Sequence, residues 1–158
     1  MAAVIEELDP RKCTESVEEI SRLEKKTFPK HESLARSLEQ EVMRKNSGLI
    51  YAKVTSEGRG GEIVGYVMYC WISSLCASIT KLAVKESYRR QGLGEALMKA
   101  AIQKCRTRNV LRVCLHVDPE RIPAVSLYEN LGFQIEVLVA SYYSVDRNAY
   151  RMYLDFDG

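Results

Sequence analysis

The chain has 158 residues, 46% apolar and 28% charged, with a formal net charge of +2, which predicts one globular domain over residues 1–158 with a substantial core. So small a charge, with Lys and Arg scattered, argues against a nucleic-acid binder. The opening MAAVIEELDPRK lacks a signal peptide's basic start and apolar core and no 18-residue apolar stretch occurs, so no membrane partner and a cytoplasmic home, or also a nuclear one, are expected.

Residues 3–8 read as a first edge strand, followed by the turn signal Asp9-Pro10. Val17, Ile20, Leu23 and Phe28 fall at helical spacing and predict an amphipathic helix from Thr14, closed by Pro29. A second helix is predicted from His31 or Glu32 to Asn46-Ser47-Gly48, with Leu34, Leu38 and Val42 inward. Residues 49–55 and 63–71 alternate as the strands of a hairpin with its loop at 57–61, and residues 78–85 form the third strand of the meander. The cysteines Cys13, Cys70, Cys76, Cys105 and Cys114 are odd in number, show no CxxC pair and lie mostly within apolar runs. They predict buried free thiols in a reducing compartment, with neither disulfides nor a metal site.

The stretch 87–104, SYRRQGLGEALMKAAIQK, follows that third strand directly. Leu93, Ala96, Leu97, Ala100, Ala101 and Cys105 predict a helix, so the order is strand, turn, helix. The first amides of a helix have no intrahelical acceptor and the dipole makes that end electropositive, so an anion placed there collects charge-assisted hydrogen bonds. Gly92 and Gly94 keep side chains out of the way, Gln91 and the glycines can turn their amides inward, and Arg89 and Arg90 add permanent charge. A P-loop is excluded by the missing GxxxxGK, and a dinucleotide fingerprint by Leu97 where a small residue is needed. Taken alone, the two glycines also fit a merely tight connection.

Beyond the helix, residues 110–117 form a strand carrying His116, and a connection through Asp118 to Pro123 leads to a helix with Ala124, Leu127, Tyr128 and Leu131, ended by Gly132. Two closing strands, 133–140 and 149–156, bracket a polar loop that opens on Ser141-Tyr142-Tyr143. Alternation puts His116 on the opposite face from Leu115 and Val117, and its ordinary pKa of about 6.5 suits a base near neutrality. A buried structural histidine is the competing reading. Tyr128, by spacing alone, is a core aromatic, and His31 is a surface residue.

Arg89-Arg90-Gln91-Gly92-Leu93-Gly94 matches the Arg/Gln-x-x-Gly-x-Gly/Ala acetyl-CoA signature of the GNAT N-acetyltransferases, and Leu82-Ala83-Val84 matches that family's coenzyme-binding strand. The resemblance continues through Leu115-His116-Val117, then 124–133 (AVSLYENLGF), Ser141-Tyr142-Tyr143 and 148–152 (NAYRM). Within the family the chain is most similar to the branch that acetylates protein N-termini, ribosomal-protein alanine acetyltransferases included.

This resemblance implies an α/β (α+β) fold with a mixed, mostly antiparallel sheet of about seven strands flanked by about four helices. It implies acetyl-CoA as cosubstrate, held by Leu82, Ala83, Val84, Arg89, Arg90, Gln91, Gly92, Leu93, Gly94 and Glu95. The third strand of the meander is expected to splay from its neighbour, freeing amides for the pantetheine arm. The implied reaction is acetyl transfer to a primary amine by direct attack. His116 would be the base, Tyr128 the acid beside the sulfur and the Val84 amide an oxyanion donor. Phe28, Pro29, Tyr142 and Tyr143 are expected to hold the acceptor, a protein or peptide N-terminus, and the branch admits an auxiliary subunit.

Three departures qualify that carry-over. Arg121 stands where the family commonly has an asparagine on the coenzyme, with Pro123 beside it in place of an alanine; Lys30 stands where one branch has a substrate-recognising glutamate; and Ser78 stands where another has a tyrosine that serves as a second base. Lysine or small-amine acetylation and a non-catalytic acetyl-CoA-binding module are the alternative functions, the first kept open by Glu57, Asp118 and Asp146.

Overall fold

The computed structural model describes residues 3–9, 14–27, 45–55 and 61–156. The predicted second helix, Phe28, Pro29, Lys30, His31, Cys13 and most of the 57–61 loop lie outside them. The strands are β1 (Ala3–Glu7), β2 (Ser47–Val54), β3 (Glu62–Trp71), β4 (Cys76–Val84), β5 (Arg112–Val117), β6 (Gln134–Ser144) and β7 (Arg147–Asp155). The helices among the described residues are α1 (Thr14–Thr27), α2 (Leu93–Thr107) and α3 (Ile122–Asn130), with one 3-10 turn at Glu86–Tyr88.

The seven strands form one sheet in the order β1-β2-β3-β4-β5-β7-β6. All neighbours pair antiparallel except β4 and β5, which are parallel. This is the mixed, mostly antiparallel sheet expected. β4 and β5 need a crossover, and α2 supplies it across one face.

Each face of the sheet carries its own core. Leu97, Met98, Ala101 and Cys105 of α2 pack with Ile50, Val67, Ile79, Val113 and Leu115 on one face. Val17, Ile20 and Leu23 of α1 pack with Leu49, Tyr51, Tyr66 and Met68 on the other. The buried stripe of α2 also takes in Met98 and Ile102, so it is wider than the sequence pattern suggested, and Ala96 and Ala100 lie at its margin. Burial of each such Leu or Met is worth about 1.5–3 kcal/mol. Under α1, Glu24 is fully buried and accepts a 2.7 Å hydrogen bond from the Tyr66 hydroxyl, which offsets the cost of sequestering a polar side chain there.

Two irregularities in register decide which side chains face which core. In β3 the pairing skips Val64, so Ile63 and Val64 have the opposite facing from what the alternation of Tyr66, Val67 and Met68 extrapolates. In β4 the pairing skips Thr80: before it Ala77 and Ile79 face α2, and after it Leu82 and Val84 do, with Ala83 turned to the other side. The second irregularity sits where β4 leaves β5.

One expected element is corrected. Ser141, Tyr142 and Tyr143 do not open a loop; they lie in β6, which runs on to Ser144, and the reversal is confined to Val145 and Asp146. The strand survives this polar stretch because a register shift absorbs it. Ser141 adopts φ 51°, its N–H donates to Asn148 Oδ1 at 2.9 Å, and Asp146 at φ 65° closes the turn.

Candidate active site

Parallel pairing of β4 with β5 covers Cys76 to Ile79 opposite Arg112 to Leu115 and then stops, although β4 continues to Val84 and β5 to Val117. The strands therefore diverge, and a cleft of ≈ 710 Å³ opens between them. Lys85 N–H donates to Val64 O of β3 at 2.7 Å. Alternation then turns the amides of Val84 and Leu82 away from β3, toward the cleft.

The floor of the cleft at its helical end is the turn into α2. Gly92 is the N-cap of α2 at φ 79° and Arg90 is at φ 63°, both left-handed. A Cβ built on Gly92 meets nothing within 4 Å, so the glycine is required by conformation, and the space beside it is open. At Gly94 a Cβ would meet only Leu127 Cδ2, at 3.4 Å, an ordinary contact distance, so packing against α3 does not by itself require this second glycine. Arg89 Nε donates to Val84 O at 3.0 Å, which fixes one guanidinium at the strand end. Leu82, Ala83, Val84, Arg89, Arg90, Gly92, Leu93, Gly94 and Glu95 all line the cleft; Gln91 is exposed in the same turn but is not on the lining.

The opposite wall comes from β5, α3 and the β6–β7 hairpin. Tyr128 is buried in α3, edge-on to Phe133 with ring centroids 6.1 Å apart, and lines the cleft. Burial pushes its pKa up to about 12, against the pull of the Arg121 charge. His116 is half-buried and also lines the cleft, on a strand face shared with neither Leu115 nor Val117, which are buried against α2 and α3. Burial, and then the charge of Arg151 directly opposite on β7, lower its pKa from the ordinary value. Tyr142 stacks on His116 at 4.3 Å with 7° between planes. Tyr143 stands edge-on to Tyr142 at 4.9 Å and reaches the cleft itself.

Three groups in or beside the cleft were not singled out from the sequence. Tyr88 lies beside Arg89, with its hydroxyl 3.5 Å from Glu62. Arg147 ion-pairs with Asp118 at 3.3 Å and lies under the Tyr143 ring at 5.1 Å, so the hairpin is tied to the end of β5. Arg151 reaches His116 only through strand register. Tyr88 adjoins Arg89 in the turn and was legible there, whereas Arg147 and Arg151 are brought in by the packing of β7 against the end of β5, about thirty residues earlier in the chain, which leaves no spacing signal. Arg121, the N-cap of α3, faces the same cleft. Among the described residues no group of three or more His, Cys, Asp or Glu could hold a metal ion.

The site thus combines an anion-ready helix start, a row of free strand amides, a histidine and a buried tyrosine across one gap. Residues 14–133 match the model of the acetyltransferase (GNAT) family. An N-alpha-acetyltransferase of Sulfurisphaera tokodaii is 34% identical over 104 residues, spanning 58% of this chain and 62% of that protein. The [ribosomal protein bS18]-alanine N-acetyltransferase of Escherichia coli K12 is 37% identical over 67 residues, spanning 42% of this chain and 45% of that one. The chain therefore spans less than two thirds of the length of these curated relatives. The crystal structure of Ard1 from Thermoplasma volcanium superposes with a TM-score of 0.76 at 30% identity, covering 100% of both chains. With the family model spanning both the coenzyme-type turn and the β5 to α3 wall, the chain belongs to the acetyltransferase (GNAT) family.

Proposed function

We propose that this chain is an acetyl-CoA-dependent N-acetyltransferase whose acceptor is the α-amine at a protein or peptide N-terminus, working as a single domain over residues 1–158. The observation that carries the reading is the divergence of β4 from β5 between a cationic helix start and a wall bearing His116 and Tyr128. When bound, acetyl-CoA supplies a thioester activated toward amines. The residues present suit it: open space beside Gly92 and the charges of Arg89 and Arg90 match a pyrophosphate, and the free amides of Leu82 and Val84 match an amide-bearing arm.

In this reading the Val84 N–H is the donor for the carbonyl oxygen as negative charge develops on it. His116, with its pKa below the ordinary value, is neutral at physiological pH and accepts the proton of the incoming ammonium, directly or through water. Tyr128 keeps its proton throughout the neutral range and donates a hydrogen bond to the departing sulfur. Full transfer would run uphill, since a free thiol has a pKa of about 8.5. Tyr143, which lines the cleft, and Tyr142, edge-on to it and stacked on His116, form the contact for the acceptor's first residue.

The acceptor class is supported by the Sulfurisphaera and E. coli relatives, whose names specify N-alpha and ribosomal-protein alanine acetylation. Free thiols at Cys76, Cys105 and Cys114 support a reducing, cytoplasmic setting; the sulfurs of Cys76 and Cys114 are 3.9 Å apart and unbridged. The test is thiol release from acetyl-CoA with short peptides that differ in their first two residues, each with a free or a blocked N-terminus. Release that requires the free N-terminus and varies with those residues is expected. Release from internal lysines or polyamines would move the acceptor class, and coenzyme binding without release across the panel would make the chain a binding module.

A further inference from the structure

β4 and β5 run parallel, so the ends opposite the cleft also lie together. Cys76, which begins β4 at that end, is roughly 10 Å along the strand from Ile79, where the cleft lining starts, and roughly 26 Å from Val84. There Ile72, Leu75 and Leu111 are 63%, 56% and 51% exposed. Leu111 N–H donates to Leu75 O at 2.7 Å and Phe156 N–H donates to Leu111 O at 2.9 Å, so the β3–β4 turn, the approach to β5 and the end of β7 make one surface.

Arginines surround it. The guanidinium of Arg108 lies 4.5 Å over the Trp71 ring and that of Arg106 lies 4.4 Å over Phe156. Arg112 lies over Tyr153 and is paired with Asp155. Among the described residues no carboxylate pairs with Arg106 or Arg108. Apolar groups of this size, grouped and rimmed by polar side chains, mark contact surfaces, and Arg is enriched where contacts carry most of the binding energy.

We infer that this end docks an acidic amphipathic segment of a partner protein, with its apolar face on Ile72, Leu75 and Leu111 and its carboxylates on Arg106 and Arg108. Charge complementarity selects the partner. The guanidinium groups of Arg106 and Arg108, each held over an aromatic ring and without a carboxylate partner among the described residues, can each take a carboxylate bidentately. RNA is disfavoured because the exposed centre is aliphatic, and Trp71, which could stack on a base, is 8% exposed beneath Arg108. A bilayer is disfavoured because the exposed apolar group is only three side chains, Ile72, Leu75 and Leu111, too few to insert among acyl chains. Docking here leaves the cleft open to coenzyme and acceptor.

The probe is a labelled helical peptide with leucines along one face flanked by glutamates, titrated into the full chain and followed by fluorescence anisotropy. Saturable binding that weakens by about tenfold in Leu75→Ser and in Arg108→Glu is expected, with loss of binding when lysines replace the glutamates. Both variants are to be checked for unchanged coenzyme binding, which reports the fold independently of this surface. Peptide binding insensitive to both variants overturns the proposal. So does binding to phosphatidylserine vesicles or single-stranded RNA in the absence of peptide binding.

Discussion

The two walls of the cleft are built on opposite principles. The coenzyme-type wall runs from Leu82 to Glu95, fourteen consecutive residues, and its geometry is local: a strand end, a left-handed glycine and a helix start. The facing wall takes His116 from β5, Tyr128 from α3, Tyr143 from β6 and Arg147 from β7, with Tyr142 of β6 stacked on His116 and Arg151 of β7 opposite it. Its geometry exists only once β7 has inserted between β5 and β6. The first wall is therefore expected to fail through single backbone positions and the second through charge and contact between strands.

The largest expected effect is on the local wall. Gly92→Asp puts a carboxylate into the open space beside the α2 start, and a like charge against a bound phosphate costs several kcal/mol. Coenzyme affinity measured by calorimetry should fall by more than about a hundredfold. Gly92→Ala separates conformation from charge, because it brings only the strain of φ 79°, about 1–2 kcal/mol of stability. If Gly92→Asp folds and binds normally, the contrast between the walls collapses.

On the facing wall, His116→Ala should leave coenzyme affinity intact and lower kcat by about 10²–10⁴-fold near neutral pH. In the parent protein the rate should rise with pH through a limb below about 6.5, because the lowered pKa keeps the imidazole neutral down to more acid conditions. The variant should lose that limb, and a retained one would assign the base elsewhere.

The smallest effect sharpens the comparison most. Arg151→Gln removes the positive charge opposite His116, so the imidazolium is less disfavoured and the pKa should rise toward its ordinary value. The acid limb of the pH–rate profile should move to higher pH, with kcat on the alkaline plateau unchanged. An unmoved limb would mean that burial alone lowers the His116 pKa. Burial is the larger of the two causes, so the shift should be partial.

Local pattern carried much of this architecture. The period of Val17, Ile20 and Leu23 and the alternation through 49–54 and 63–71 specify elements because their apolar faces must be covered, whatever covers them. The hairpin was harder to read. Ser141-Tyr142-Tyr143 looks like a loop because it is polar and contains no continuous apolar face, yet strand pairing with β7 continues past it once a register shift takes up the irregularity. A register shift costs little and leaves no compositional mark, so Val64 and Thr80 give no warning in sequence either.

By itself, then, the sequence determined the helix start at Gly92, the strand leading to it and the position of His116 opposite its neighbours' face, because each depends on φ, ψ and side-chain alternation within a few residues. Only the tertiary structure decided that β4 parts from β5 after Ile79 and Leu115, that Arg151 sits opposite His116, and that Tyr142 stacks on it. Those facts follow from strand order and register, which are set by how two faces of one sheet bury their cores together.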